Sequence, residues 1–201
     1  MMIPSPDISL RRQSLRNQIR KARRELTAQQ QAAAAQAVAE RAMAHPRVAA
    51  AGALALFLSF DGELDTQPLI EALWRRGRHV FLPVLHPFSP GHLLFLRYEP
   101  DTELVVNRLR ISEPRLDVTR LLPPDQLDVL FTPLVAFDAT GQRLGMGGGF
   151  YDRTLRDWRQ KAGFYPIGLA HDCQQAAEIP AEDWDVPLPE IITPSRRWQW
   201  S

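Results

Sequence analysis

Between Gly141 and Arg153 the chain runs GQRLGMGGGFYDR, with five glycines in thirteen residues and an aromatic pair leading to an acid. Glycine at that density costs folding entropy, and it strips side chains from the backbone so that a ligand can approach main-chain N–H groups. Successive N–H groups ahead of a helix make an anion site, to which the helix N-terminus adds positive potential. Arg143 and Arg153 flank the run with formal charge. A flexible surface loop is the bland alternative. Two common phosphate loops fail by pattern. A Walker loop needs a lysine, and none lies between Lys21 and Lys161; a dinucleotide fingerprint needs a third small residue where Phe150 stands. Asp152 then sits badly beside bare phosphate. Mg2+ would reconcile them, because it takes one or two carboxylates together with phosphate oxygens. Alternatively, Asp152 caps its helix or pairs with Arg156 one turn later.

The elements around this loop alternate. Leu15, Ile19, Ala22 and Leu26 recur at helical spacing, and the alanine- and glutamine-rich run Ala28–Ala44 extends or follows that helix until Pro46. Apolar strands are expected at Ala53–Leu58, His79–Val84, Leu93–Tyr98, Asp128–Phe137 and Tyr165–Ala170, with a short one at Glu190–Thr193. A helix capped by Thr66 and stopped by Gly77 lies between the first two, and a short one around Leu155 and Trp158 ends at Gly163. Near-continuous apolar strands alternating with helices imply an α/β fold with a mainly parallel sheet covered on both faces. Ligands of such sheets sit beyond the carboxyl ends of the strands, where the glycine loop falls.

Composition sets the outer bounds. The 201 residues suit a single domain over 1–201, with 45% hydrophobic and 23% charged residues and a formal net charge of +1. One cysteine, Cys173, excludes an internal disulfide and a cysteine-based zinc cluster. No apolar run is long enough to span a membrane, and the opening MMIPSPDISL lacks a secretory pattern. Although Arg11–Arg24 is arginine-rich and acid-free like a transit peptide, a cytoplasmic protein is expected.

The stretch RLGMGGGFYD resembles the signature of the 5-formyltetrahydrofolate cyclo-ligase family, also called methenyltetrahydrofolate synthetases. RQSLR (Arg12–Arg16), FLSFDGELDT (Phe57–Thr66), ISEP (Ile111–Pro114) and WDVPLPEIIT (Trp184–Thr193) are similar to that family's other segments in place and order. The resemblance implies a three-layer α/β/α sandwich, similar to the fold of certain sugar-phosphate isomerases and CoA transferases. It implies conversion of 5-formyltetrahydrofolate to 5,10-methenyltetrahydrofolate with ATP and Mg2+, releasing ADP and phosphate. Carried over by position, Arg12, Gln13, Ser14, Leu15 and Arg16 would bind ATP, together with Arg143, Leu144, Gly145, Met146, Gly147, Gly148, Gly149, Phe150 and Tyr151. Phe60, Asp65 and the loop from Met146 to Phe150 would contact the folate, and Asp152 and Asp185 would hold Mg2+. A monomer with no membrane and no nucleic-acid partner is expected.

One common form of the signature is Arg-Gly-Lys-Gly-Tyr-Tyr-Asp, and this chain has Met146, Gly148 and Phe150 where it has Arg, Lys and the first Tyr. Phosphate charge must therefore be met by N–H groups, metal and other arginines. In the family's chemistry the γ-phosphoryl group of ATP activates the formyl oxygen before N10 attacks, a reaction that asks for positioning and charge stabilisation. No histidine or cysteine spacing suggests a triad, and His171–Cys173 suits a local structural role. The rival from another class is RNA binding by the basic N-terminal helix. The first 24 residues hold seven cations and one acid, a net +6 against −5 for the remainder. Interleaved aromatics, which would support single-strand stacking, are absent. Isomerase or transferase activity rests on fold analogy alone.

Overall fold

The computed structural model describes residues 6–161 and 163–200. The arginine-rich opening forms α1 (Pro6–Arg24), whose Leu15 and Ile19 pack against Val135, Leu144 and Ile179. The alanine-rich run follows as a separate helix, α2 (Ala28–Met43), because Thr27 and Gln30 make a reciprocal capping box at its start. Pro46 opens α3 (Pro46–Ala50), where a missing N–H costs nothing. Next come β1 (Ala53–Ala55), α4 (Gln67–Arg75), β2 (His79–Leu85) and β3 (Leu93–Tyr98). A small hairpin, β4 (Leu104–Val106) with β5 (Ser112–Pro114), precedes β6 (Leu121–Leu122) and β7 (Val129–Thr132). A second, β8 (Ala136–Phe137) with β9 (Arg143–Leu144), leads into α5 (Phe150–Leu155) and α6 (Trp158–Lys161). β10 (Tyr165–Leu169), β11 (Glu190–Ile192) and β12 (Arg197–Gln199) complete the order.

The main sheet runs β12-β11-β10-β7-β1-β2-β3-β6. Its centre, β11-β10-β7-β1-β2, is parallel, and β12, β3 and β6 add antiparallel margins. Alternation along the strands divides the core. Leu54, Val80, Leu82, Val129 and Phe131 pack with Val38, Leu69 and Leu73 of α2 and α4. Ala55, Phe81, Leu130 and Ile191 join Leu155 and Phe164 on the other face. Each large side chain buried this way contributes about 1.5–3 kcal/mol. The sandwich of helices on both faces is as expected.

Two strands are shorter than their apolar runs suggest, and both departures create the site. The run Asp128–Phe137 is broken at Pro133, which has no N–H for the ladder. β1 ends at Ala55, although Leu56 N–H still donates to the Phe81 carbonyl at 2.9 Å. Beyond those points Phe57, Leu58, Pro133, Leu134 and Val135 leave the sheet and line a cavity.

Candidate active site

The cavity encloses about 580 Å³ at the carboxyl ends of β1, β2 and β7, where a mainly parallel sheet takes its ligands. Its base is apolar: Phe57, Leu58, Leu82, Pro83, Leu93 and Leu134. Asn107, Leu109 and Ile111 of the β4–β5 hairpin form part of the wall, with Glu182 and Trp184 from the chain before β11. The polar side is built by α1 and by the loop leading into α5.

That loop is launched by the β8–β9 hairpin. Asp138 holds the hairpin turn, accepting from Thr140 N–H at 2.9 Å with one carboxylate oxygen and from Ile179 N–H at 2.9 Å with the other. Gly147 and Gly149 have φ of 108° and 69°, a region that L side chains rarely enter. Among the described residues the N–H groups of Met146, Gly147, Gly148 and Gly149 have no hydrogen-bond acceptor. Arg153 braces the loop from outside, donating to the Gly148 carbonyl at 2.8 Å and the Gly91 carbonyl at 3.2 Å. The helix that follows has only six residues, so the loop's N–H groups and nearby arginines, rather than a long helix dipole, supply the positive potential.

Arg12 and Arg16 lie four apart on one face of α1, and both line the cavity. Arg16 donates from Nε to the Gly145 carbonyl at 2.8 Å, and its guanidinium lies beside Gly147. Burial first, and then neighbouring Arg12, push its pKa down. Such a pair of crowded cations is ready for an anion. Arg12 is fixed by Asp185, with contacts of 2.5 and 3.1 Å, and by the Pro180 carbonyl at 2.7 Å. Arg143 is buried, donates to Asp152 Oδ1 at 2.5 Å, and keeps a buried Nε without a partner among the described residues. A buried unpaired donor is costly unless a ligand completes it.

Of the residues expected to bind ATP or folate, Arg12, Arg16, Phe60, Arg143, Gly145, Met146, Gly147, Gly148, Gly149, Phe150 and Tyr151 line this one cavity. Gln13 and Ser14 are exposed, and Gln13 bonds Asn17 at 3.1 Å. Leu15 and Leu144 pack in the core beneath α1. Asp65 is exposed, lies outside the lining, and accepts from Gln67 N–H at 2.9 Å at the start of α4. Thr66 does not cap that helix by its side chain; its hydroxyl donates to the Phe57 carbonyl.

The two expected magnesium ligands differ. Asp152 lines the cavity and accepts at Oδ1 from Arg143 and from Val186 N–H at 3.2 Å, leaving Oδ2 without a hydrogen bond among the described residues. It neither pairs with Arg156 nor caps α5, whose cap residue is Gly149. Asp185 spends both oxygens on Arg12 and accepts from Glu182 N–H at 2.9 Å. Asp152 thus fits a metal that takes most of its ligands from phosphate and water, whereas Asp185 fits a brace behind Arg12. Among the described residues no cluster of three or more acids, histidines or cysteines could hold a metal unaided.

Glu63 is the functional candidate that sequence reasoning passed over. It lines the cavity, and burial pushes its pKa up to about 7, with Arg23 and a backbone hydrogen bond from Phe60 opposing and Asp61 adding to the shift. Asp61 and Gly62 have φ of 55° and 75°, and this left-handed turn separates inward Glu63 from outward Asp65. The Asp-Gly dipeptide was the available signal for such a turn. Burial also raises the Tyr151 hydroxyl, with Glu63 adding to it. The Tyr151 hydroxyl therefore stays neutral, whereas Glu63 passes between carboxyl and carboxylate near neutral pH.

Elsewhere the structure removes competing sites. Arg20, Arg23 and Arg24 all pair with Asp61, and Arg12 with Asp185, so these arginines of the basic helix face acids of the body. Burial raises the Cys173 thiol, and Gln174 beside it donates to the Leu134 and Val135 carbonyls at 2.7 and 3.0 Å, as a structural turn would. No helix among the described residues is long and apolar enough to cross a membrane.

The family model described as the 5-formyltetrahydrofolate cyclo-ligase family matches residues 8–194. The chain is 62% identical over 182 residues to a 5-formyltetrahydrofolate cyclo-ligase of Escherichia coli strain K12, covering 90% of this chain and 100% of that one. It is 53% identical over 182 residues to the protein of that name from Haemophilus influenzae, covering 90% and 97%. Among solved structures, the 5,10-methenyltetrahydrofolate synthetase of Aquifex aeolicus superposes with a TM-score of 0.79 at 25% identity, covering 94% of this chain and 92% of that one. With the fold, the glycine loop and the arginine pair in place, this chain belongs to the 5-formyltetrahydrofolate cyclo-ligase family and is an enzyme of the ligase class.

Proposed function

We propose that the cavity binds ATP and 5-formyltetrahydrofolate together and closes the folate to 5,10-methenyltetrahydrofolate, releasing ADP and phosphate. The observation that carries this reading is the row of unbonded N–H groups from Met146 to Gly149 beside Arg16, in the same cavity as Glu63. The N–H groups, Arg12, Arg16 and Arg143 would cradle the triphosphate. The apolar base and the Phe60 and Phe150 rings suit the flat pterin, whose adjacent ring N–H and amino donors suit the Glu63 carboxylate. Mg2+ held by Asp152 would neutralise phosphate charge, and Asp185 would serve by fixing Arg12. The reading is of a monomeric, cytoplasmic enzyme.

The chemistry needs no protein nucleophile. The formyl oxygen takes the γ-phosphoryl group and ADP departs. N10 then adds to the activated carbon and gives up its proton, and phosphate leaves as the methenyl bridge forms. What the chain contributes is alignment of two substrates and donors placed where charge develops. The test is conversion of 5-formyltetrahydrofolate to a species with methenyl-folate absorbance, expected only with ATP and a divalent metal. Full conversion without ATP, or none with it across metals and pH, would sink the proposal.

A further inference from the structure

Asp61 is an exceptional centre of charge. Its side chain is 8% exposed and receives three arginines of α1: Arg20 at 2.6 Å, Arg23 at 3.2 Å and Arg24. Arg23, fully buried, also donates from Nε to the Asp61 carbonyl at 2.8 Å. Gln31 of α2 donates to the Gly62 carbonyl at 3.3 Å, and Glu63 N–H closes the turn onto the Phe60 carbonyl at 3.1 Å. A Cβ on Gly62 would lie 3.3 Å from the Arg23 side chain and backbone, so the turn is seated tightly on the helix.

This clamp has no chemistry of its own, because Asp61, Arg20, Arg23 and Arg24 are all absent from the cavity lining. It instead holds the one turn that carries Phe60 and Glu63 into the cavity. Asp61 has φ of 55°, a conformation that a non-glycine residue adopts at some cost and keeps only when its surroundings impose it. Here the imposed geometry swings Glu63 inward.

We propose that Asp61 is a positioning residue for the folate: by gathering three arginines it fixes Glu63 and Phe60 against the cavity. The helix is thereby divided in labour. Its first half serves the nucleotide through Arg12 and Arg16, which have their own anchors at Asp185, Pro180 and Gly145. Its second half serves the folate through Asp61.

The proposal rests on the reading of Glu63 as a folate contact, and the experiment separates the two. Calorimetric titration of 5-formyltetrahydrofolate without ATP, and of ATP without folate, is made on wild type, Asp61→Asn, Glu63→Gln and the double variant. Asparagine tolerates a positive φ, so Asp61→Asn removes charge while keeping the turn accessible. Asp61→Asn is expected to weaken folate about tenfold and leave ATP within about twofold, and in the double variant the two losses should fall short of additive, since coupled residues are non-additive. Hydrogen exchange at the Gly62 and Glu63 amides should speed up in Asp61→Asn. Wild-type folate affinity in Asp61→Asn while Glu63→Gln is weakened overturns the proposal. So does equal weakening of folate and ATP, which would mark a general loss of structure. Wild-type affinity in Glu63→Gln overturns the folate reading of that residue, whatever Asp61→Asn does.

Discussion

The two loops that frame the cavity reach it by opposite means. The glycine loop, Gly145–Gly149, is held at its edges by Arg16 and Arg153, and among the described residues its N–H groups from Met146 to Gly149 are left without acceptors. The loop Phe57–Asp65 is pinned at its tip by three arginines on one carboxylate. On the proposed function the first presents bare backbone donors to phosphate, so any internal bond would consume what it offers. The second must present particular side chains, so its backbone can be tied down completely. Backbone-based recognition is thus built from glycine and absence of contacts, and side-chain recognition from a dense polar clamp.

Removing charge from the nucleotide side should have the largest effect. Arg16→Ala deletes a donor aimed at the loop and is expected to lower kcat/KM for ATP by roughly a hundredfold, the scale of one lost charge-stabilising donor. Initial rates over a range of ATP would show whether the loss lies in KM or in kcat. Asp152→Asn should keep the acceptor for Arg143 and Val186 N–H but lose the free oxygen. Its magnesium requirement should rise about tenfold or more, and because buried Arg143 loses its carboxylate partner the thermal unfolding temperature should fall as well. Unaltered magnesium dependence would assign Asp152 solely to holding Arg143.

If the Phe57–Asp65 loop meets the folate as proposed, the expected change there depends on pH. Burial holds the pKa of the folded Glu63 carboxyl at about 7, against an ordinary value of 4.5. Between those values the folded chain holds a proton that the unfolded chain has released, so this group's contribution to stability falls as pH rises from 4.5 to 7. If pterin donors select the carboxylate, kcat/KM for the folate should rise about tenfold per pH unit until near 7, then level off. Glu63→Gln should flatten both slopes, readable from unfolding curves and from rates at subsaturating folate. A slope in activity that survives in Glu63→Gln would belong to another group.

Much of this was legible in residue order. Alternating apolar strands gave the parallel sheet, and the glycine run marked a loop that lines the cavity, because local composition dictates both. The breaks were less legible. Pro133 splits an unbroken apolar run, and β1 stops at Ala55 although Leu56 and Phe57 are as apolar as what precedes them. Short pairings such as β4–β5 and β8–β9 depend on partners that the sequence does not order by itself. The same holds for the acids. Asp65, Asp152 and Asp185 look alike as letters, and only tertiary contacts separate a helix-start acceptor, a cavity carboxylate and an arginine brace. The arginines of α1 likewise divide according to whether Asp61 or the cavity lies opposite.

The finest comparison lies within the glycine loop itself. Gly147 and Gly149 sit at positive φ, whereas Gly148 does not. Alanine at either of the first two must enter a left-handed conformation at a cost of roughly 1–2 kcal/mol, so several-fold losses in kcat/KM for ATP are expected. Gly148 has a different constraint: a Cβ there would come within 2.7 and 2.8 Å of the Phe150 ring. A ring can turn where a backbone cannot, so Gly148→Ala should cost least for ATP. Its effect should appear instead in KM for the folate, through displacement of Phe150. This also bears on the family signature with lysine at the Gly148 position, which carries tyrosine rather than phenylalanine at position 150. Gly148→Lys alone should therefore raise KM for the folate, and Gly148→Lys combined with Phe150→Tyr should recover part of that loss only if the hydroxyl finds a partner that holds the ring clear. Steady-state kinetics on the three variants decide it. Equal ATP defects in all three glycine-to-alanine variants would instead mean that close backbone approach, not backbone conformation, limits the loop.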